Sequence, residues 1–160
     1  MRDEVLALHS ADEAVIAVGA LLQTAHRQVD IQSPLLDPAL YDTEEICACL
    51  RRLVVDSGRR TRVRILVADP GTIVRRGHRL LALSRQLTSF ITIRQLAEED
   101  VDDGGFLIVD RGHYLRWEPG TGYQGSGRRN NRGHTARWSR LFSERWDRAV
   151  QPAALRRLYL

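Results

Sequence analysis

Lysine is absent from this sequence of 160 residues, and all 24 of its lysine-or-arginine positions hold arginine. The chain therefore has no amine that could form a Schiff base, act as a lysine general base or hold a phosphate in a P-loop. Arginine accounts for the net charge of +4, and its planar guanidinium binds phosphate oxygens in a bidentate manner. The composition is compatible with a polyanionic partner, although a bias in genomic base composition also explains an excess of arginine.

Cysteine and long apolar runs are scarce as well. The two cysteines, Cys47 and Cys49, are too few for a disulfide framework or a zinc site, and we interpret them as reduced thiols on a helix. The longest apolar runs, such as Phe106–Val109, are far shorter than the roughly 20 residues of a membrane helix. The acidic run Glu98–Asp103 lacks the central glycine of a calcium loop and is interpreted as a solvated loop.

The first residues carry acids and no apolar segment, which argues against a secretory signal. We therefore expect a cytoplasmic protein with no membrane span, no metal site and no cofactor.

Hydrophobic periodicity alternates between helical and extended segments along most of the chain. The predicted strands are Gln28–Gln32, Arg62–Ala68, Phe90–Leu96, Phe106–Val109 and His113–Trp117. The predicted helices begin at a capping box of Ser10 and Glu13, run from a cap at Asp42 to Gly58 and from Thr72 to Leu87, and end with one that carries Trp138, Phe142 and Trp146. This order predicts one α/β domain over residues 1–160, with a layered, mixed and partly parallel sheet flanked by helices.

The segment Glu118–Gly133 is rich in glycine, asparagine and arginine, and it is predicted to be a loop. Glycines let backbone N–H groups approach an anion, and arginines neutralise it. The predicted ligand-binding residues are Arg128, Arg129, Arg132, Arg137 and Arg140. Trp138 lies between the last two, and arginine interleaved with an aromatic ring is typical of nucleic-acid binding. The alternative is a solvated loop, with Trp138 buried beside Phe142 and Trp146.

The order of elements, together with the segment Phe106-Leu107-Ile108-Val109-Asp110, resembles one half of the phospholipase D-like superfamily. In that family the segment reads His-x-Lys-x-x-x-x-Asp: the histidine is the nucleophile, the lysine binds the phosphate and the aspartate supports the site. Asp103 stands at the histidine position and Gly105 at the lysine position, and only Asp110 matches. The family's Gly-Ser-x-Asn is also missing near Leu115–Glu118. The resemblance implies the fold of a degenerate half-domain.

Several functions remain open after this comparison. Aspartate repels phosphate and glycine supplies no cation, so we expect a non-catalytic domain that binds an anionic or phosphate-containing ligand, nucleic acid included, or that regulates a partner protein. One alternative is a phosphodiesterase or nuclease with relocated residues, which would use Asp110 and His113 as an acid–base pair, or His134. Another is a protein-interaction module with no nucleic-acid role. The resemblance further implies a homodimer, because single-motif relatives pair two halves.

Overall fold

The computed structural model describes residues 2–118 and 120–156, and residues 1, 119 and 157–160 of the predicted 1–160 domain lie outside the described residues. The strands are β1 (Glu4–Leu8), β2 (Gln28–Gln32), β3 (Arg62–Val67), β4 (Ile91–Gln95), β5 (Gly105–Val109), β6 (His113–Trp117) and β7 (Gly125–Arg129). The helices are α1 (Ala11–Gln23), α2 (Pro38–Tyr41), α3 (Glu44–Asp56), α4 (Pro70–Arg76), α5 (Arg79–Gln86), α6 (Arg132–Arg148) and α7 (Ala153–Arg156). A single 3₁₀ turn at Glu98–Asp100 joins β4 to β5.

These strands form one sheet in the order β1-β7-β6-β5-β2-β3-β4. Strands β2, β3 and β4 are parallel to one another, whereas β5, β6, β7 and β1 continue the sheet by antiparallel pairing. The prediction of a layered, mixed and partly parallel sheet flanked by helices is therefore confirmed. Because β5 runs against β2, the end of β5 lies at the same edge of the sheet as the starts of β2, β3 and β4.

Helices cover both faces of the sheet, and successive side chains of a strand point to opposite faces. Helices α1, α3 and α5 pack on one face, where Val63 and Ile65 of β3 join the larger apolar cluster. Helix α6 covers the other face, where Leu66 packs with Phe142 and Trp146. None of the helices in the described part of the chain combines the length and the apolar character of a membrane span.

The prediction of a loop over Glu118–Gly133 is wrong in part, because β7 lies within that segment. Glycine is rare in strands, so the composition of this segment does not indicate a strand. A Cβ on Gly127 would lie 2.0 Å from the carbonyl oxygen of Tyr114, so only glycine allows β6 and β7 to approach so closely. The sequence also does not predict β1. In the described structure its only strand neighbour is β7, whose glycine-rich sequence is itself unlike that of a strand.

Other local predictions fail for specific reasons. The helix expected over Thr72–Leu87 is two helices, because Gly77 has a φ of 77° and His78 caps α5. Helix α3 is capped by the Thr43 hydroxyl, which accepts from Ile46 N–H, and the predicted cap Asp42 instead accepts from Arg79 N–H. The run expected to be a solvated acidic loop includes a buried residue, Asp100, whose carboxylate is paired with Arg148.

Candidate functional site

The segment that would carry the catalytic histidine and lysine of a phospholipase D-like half-domain leads into β5. Gly105 pairs with Trp117 across β5 and β6, and a Cβ on Gly105 would lie 2.5 Å from the indole ring. Real Cβ atoms do not approach another atom so closely, so the ring of Trp117 occupies the space that a lysine at position 105 would need. Asp103, at the histidine position, is exposed.

A concavity of about 170 Å³ adjoins this segment, and its cations are already neutralised. Arg116 is paired with Glu118, while Arg145 lies 3.4 Å from the Asp102 carboxylate and donates to the Gln32 side chain at 2.9 Å. Among the described residues that line it, none is a histidine, cysteine, serine or threonine. The concavity therefore has no histidine, cysteine or hydroxyl nucleophile for phosphoryl transfer, and its arginines are already paired with carboxylates.

Asp110, the one residue that matches the family motif, is engaged by the backbone. Its carboxylate accepts hydrogen bonds from the N–H groups of His26, Arg27 and Gln28, at 2.8, 2.8 and 2.9 Å. These bonds join the β5–β6 turn to the start of β2, and they hold Asp110 at a φ of 53°. Asp110 therefore has a clear structural role at this position.

His113 follows Asp110 across the turn, but among the described residues the two side chains form no hydrogen bond. The His113 Nδ1 atom accepts from the N–H of Asn130 at 2.9 Å, so its ring holds the junction between β7 and α6. Burial lowers the pKa of His113, and the charges of Arg129 and Arg132 lower it further, against the opposing effect of Asp110. The acid–base pair considered from the sequence is therefore not assembled in this structure.

The five predicted ligand-binding arginines fall into two groups. Arg128 and Arg129 belong to β7 and face acidic residues that flank and open β1. Arg128 lies 2.8 Å from the Asp3 carboxylate, and Arg129 lies 4.0 Å from that of Glu4. Both arginines are half-buried, so they are less available to a ligand than their loop-like sequence indicated.

Arg132, Arg137 and Arg140 form the second group, on the exposed side of α6, and we call them the helix surface. Within the described structure none of the three has a carboxylate within 4.0 Å. Trp138 is half-buried, with its ring centroid 5.5 Å from that of Phe106 and 5.7 Å from that of Tyr114. Its ring thus belongs mainly to the core beneath α6 and is poorly placed to stack on a base. The exposed His134 lies at the start of the same helix.

The sequence reasoning missed a buried ion pair beneath α6. Arg64 donates from Nε and from a terminal nitrogen to the two carboxylate oxygens of Asp30, at 2.8 and 3.1 Å. The guanidinium carbon of Arg64 also lies 5.0 Å from the ring centroid of Phe142 and 5.5 Å from that of Trp146. Both residues belong to strands that the periodicity predicted correctly, but a local pattern does not reveal which charged side chains face each other across a sheet.

Another group of arginines, which the sequence did not indicate as a site, lies around the edge where β2, β3 and β4 begin. A concavity of about 420 Å³ there is lined by Arg59, Arg60, Arg62 and Arg94, among others. A neighbouring one of about 530 Å³ is lined by Arg27, Arg111 and Arg132 with Asp110. The signal was visible as arginine beside the predicted strand starts, but the strand order was needed to bring these residues together. The described residues contain no group of three or more histidine, cysteine, aspartate or glutamate side chains that could hold a metal ion.

Solved structures with the same fold include members of the phospholipase D family. Nuc from Salmonella typhimurium, a phospholipase D family member, aligns with a TM-score of 0.60 and 15% identity over 92% of this chain and 95% of its own. NucT from Helicobacter pylori aligns with a TM-score of 0.58 and 9% identity, over 94% of this chain and 99% of its own. The fold is therefore phospholipase D-like.

The archaeal chromatin protein TrmBL2, whose structure shows a novel mode of DNA binding, aligns with a TM-score of 0.65 and 13% identity. The alignment covers 95% of this chain but only 55% of TrmBL2, so this chain spans about half the length of that protein. A search of curated proteins found no match to the sequence. Residues 10–158 match the sequence model of DUF7931, a domain of unknown function, and the chain belongs to that family.

Proposed function

We propose that this chain is a non-catalytic phospholipase D-like domain that binds a phosphate-containing ligand through the helix surface of Arg132, Arg137 and Arg140. The observation that carries the proposal is the contact between Trp117 and Gly105, in which the indole ring fills the space that a lysine at position 105 would use. Phosphodiester transfer needs a nucleophile and a cation near the developing charge. The adjoining concavity has no histidine, cysteine, serine or threonine among the described residues that line it, and its arginines are already paired.

The binding half of the proposal depends on exposed charge. The three arginines of the helix surface extend into solvent, and no carboxylate of the described structure neutralises them. Guanidinium groups in this state bind phosphate oxygens by charge-assisted hydrogen bonds. Support from related folds comes from Nuc, a phospholipase D family member, and from TrmBL2, whose structure shows DNA binding.

An activity measurement tests whether the domain is non-catalytic. Purified protein incubated with bis(4-nitrophenyl) phosphate, with and without divalent metal ions, should release nitrophenolate no faster than the buffer does. Turnover that disappears in His113→Ala or His134→Ala would overturn the proposal and would favour a relocated phosphodiesterase site. Turnover that survives both substitutions would overturn the proposal if it also persists in further purified protein, whereas inactivity of that protein would trace it to a contaminating enzyme and support the proposal.

A salt titration tests whether the helix surface binds phosphate. If the helix surface contacts three phosphates, the log of the affinity for a phosphate-rich probe should fall with the log of the salt concentration, with a slope of roughly −2.7 for duplex DNA. Arg137→Ala and Arg140→Ala should each reduce the slope by about 0.9. Arg129→Ala is the matched control, because its guanidinium already faces Glu4. A protein-interaction module would be favoured if the protein bound neither inorganic polyphosphate nor nucleic acid. The same conclusion would follow if both α6 variants bound these probes as the wild-type protein does.

A further inference from the structure

Five arginines lie along one edge of the sheet, and Arg94, which lies within β4, lines the same concavity as three of them. We call these six residues the arginine edge: Arg27, Arg59, Arg60, Arg62, Arg94 and Arg111. Their proximity follows from the topology. Arg27 precedes β2, and Arg62 opens β3 directly beside it, because Gln28 and Arg62 are partners in the parallel pair. Arg111 lies in the turn after β5, which ends at the same edge because β5 is antiparallel to β2. The edge is opposite the one that carries the Trp117–Gly105 contact.

The arginine edge is not neutralised by the protein. In the described structure none of its six guanidinium groups lies within 4.0 Å of a carboxylate. The neighbouring carboxylates are engaged elsewhere: Asp110 accepts three backbone N–H groups, Asp30 is paired with Arg64 and Asp56 with Arg52. Like charges gathered in this way repel one another, and they create a local positive potential that attracts an anion.

Two of these arginines are already held in position. The Arg94 guanidinium lies 4.4 Å from the ring centroid of Trp146 and donates to the carbonyl oxygen of that residue at 3.1 Å. Arg60 donates from Nε to the Ser57 carbonyl oxygen at 3.4 Å. Side chains that are ordered before binding lose less conformational entropy when a ligand arrives.

The shape of the edge favours a long polyanion over a single phosphate. Neighbouring strands are about 4.8 Å apart, so the five strands from β6 to β4 extend over about 19 Å. Phosphates of one strand of duplex DNA follow one another at about 3.4 Å along the axis, so about five or six would lie along this edge. The edge has no exposed phenylalanine, tyrosine or tryptophan ring in the described structure, since Trp146 is 5% exposed and Phe90 is half-buried.

From this arrangement we infer that the arginine edge binds the phosphate backbone of nucleic acid, without reading the bases. The inference rests on the proposed function, because it names the class of phosphate-containing ligand, and it adds a second set of arginines to those of the helix surface. Arg132 adjoins both surfaces, so it does not distinguish them.

The experiment compares three charge-matched double variants by fluorescence anisotropy, with a labelled 20-base-pair duplex and the corresponding single strand as probes. Arg60→Gln/Arg62→Gln removes two charges from the arginine edge, and Arg137→Gln/Arg140→Gln removes two from the helix surface. Arg75→Gln/Arg76→Gln is the control, because both residues are exposed on α4, which follows β3 at the opposite edge. All three variants have the same net charge, so a difference in affinity between them shows which surface contacts the probe.

The edge variant should bind the duplex about 60-fold more weakly at 0.1 M salt, with a salt slope smaller by about 1.8, because each lost phosphate contact removes about 0.9. The control should bind as the wild-type protein does, and two duplexes of different sequence should give the same result. If the edge variant does not fold, Arg62→Gln alone should show about half of the change in slope, since no described contact involves that guanidinium.

Loss of binding only in the helix-surface variant would overturn this inference and leave the proposed function standing. Equal losses in the edge variant and the control would also overturn it, because a general charge effect would then explain the result. If the wild-type protein binds inorganic polyphosphate but neither nucleic acid, the inference is wrong and the proposed function survives. If it binds none of these probes, both are wrong.

Discussion

The indole ring of Trp117 covers Gly105 on the neighbouring strand so closely that a Cβ at position 105 would lie 2.5 Å from it. The contact involves two residues that a phospholipase D-like motif would assign to its catalytic segment and to the end of the following strand. With the Trp117 ring in this position, a side chain at position 105 would force it to move. The two residues therefore belong to the packing of the sheet, and they define the first prediction.

Gly105→Ala should lower the free energy of unfolding by about 1–3 kcal/mol, as overpacking of a core does. Gly19→Ala is the control: it lies inside α1 with nothing within 4 Å of its Cβ position, and it should stabilise the protein by about 0.5–1 kcal/mol. Denaturant unfolding followed by tryptophan fluorescence measures both. In the background of Trp117→Leu the penalty of Gly105→Ala should shrink, and additive effects would show that the ring is not the cause.

The buried pair of Asp30 and Arg64 should be strongly coupled, because their side chains are only 1% and 7% exposed. Asp30→Ala or Arg64→Ala should each cost about 3–5 kcal/mol of stability, since each leaves an unpaired buried charge. The double variant Asp30→Leu/Arg64→Met should be more stable than either single variant. Urea unfolding of the three proteins checks this, and a cost below about 1 kcal/mol for both single variants would contradict it.

Asp100 should contribute to the pH dependence of stability. Two hydrogen bonds from Arg148, both 2.9 Å, lower the pKa of Asp100 below its usual value, against the opposing effect of burial. A carboxyl whose pKa is lower in the folded state stabilises the protein above the unfolded pKa of about 3.9, and this stabilisation is lost as the pH falls through the folded pKa. Asp100→Asn should therefore lower stability at pH 7 and flatten its decline below about pH 4.

The control for this prediction is Asp103→Asn, an exposed carboxyl a few residues away. Thermal unfolding between pH 2 and pH 7 should give nearly parallel curves for this variant and the wild-type protein. If Asp100→Asn also ran parallel to the wild type, the pair with Arg148 would not be the source of the pH dependence.

We expect a homodimer in solution, as the resemblance to single-motif phospholipase D-like proteins implies. The edge strand β1 supports this expectation, because it ends the sheet and its Val5 side chain is 68% exposed. Unpaired strand edges pair readily with another chain. Light scattering at micromolar concentration should give twice the mass of the chain, and Val5→Lys should shift the protein towards the monomer. A monomeric wild-type protein would contradict the prediction.

The local sequence predicted much of the architecture, because its signals depend on near neighbours. Ser10 caps α1 by accepting from Glu13 N–H, as the capping box indicated. Val29 and Ile31 are both completely buried, as their alternation in β2 predicted. The run Phe106–Val109 lies in β5 as a strand buried on both faces, which is typical of a short, continuous apolar segment.

The site could be predicted only in part. The sequence indicated Arg132, Arg137 and Arg140 as ligand candidates, because they lie in or directly after a glycine- and arginine-rich segment, and all three are exposed on α6. It assigned Arg128 and Arg129 to the same group, because the acids that pair with them, Asp3 and Glu4, are more than 120 residues away in the chain. It did not indicate that Asp110 would be engaged by three backbone N–H groups of residues 26–28.

By itself, the sequence determined the types and the order of most helices and strands and the absence of lysine chemistry. The tertiary structure alone decided the strand order, and with it every relationship between distant segments. Strand pairing brought Trp117 over Gly105, drew the glycine-rich β7 into the sheet and aligned Arg27, Arg62 and Arg111 along one edge. The reason is physical: capping and periodicity act within a few residues, whereas pairing across a sheet depends on packing of the whole chain.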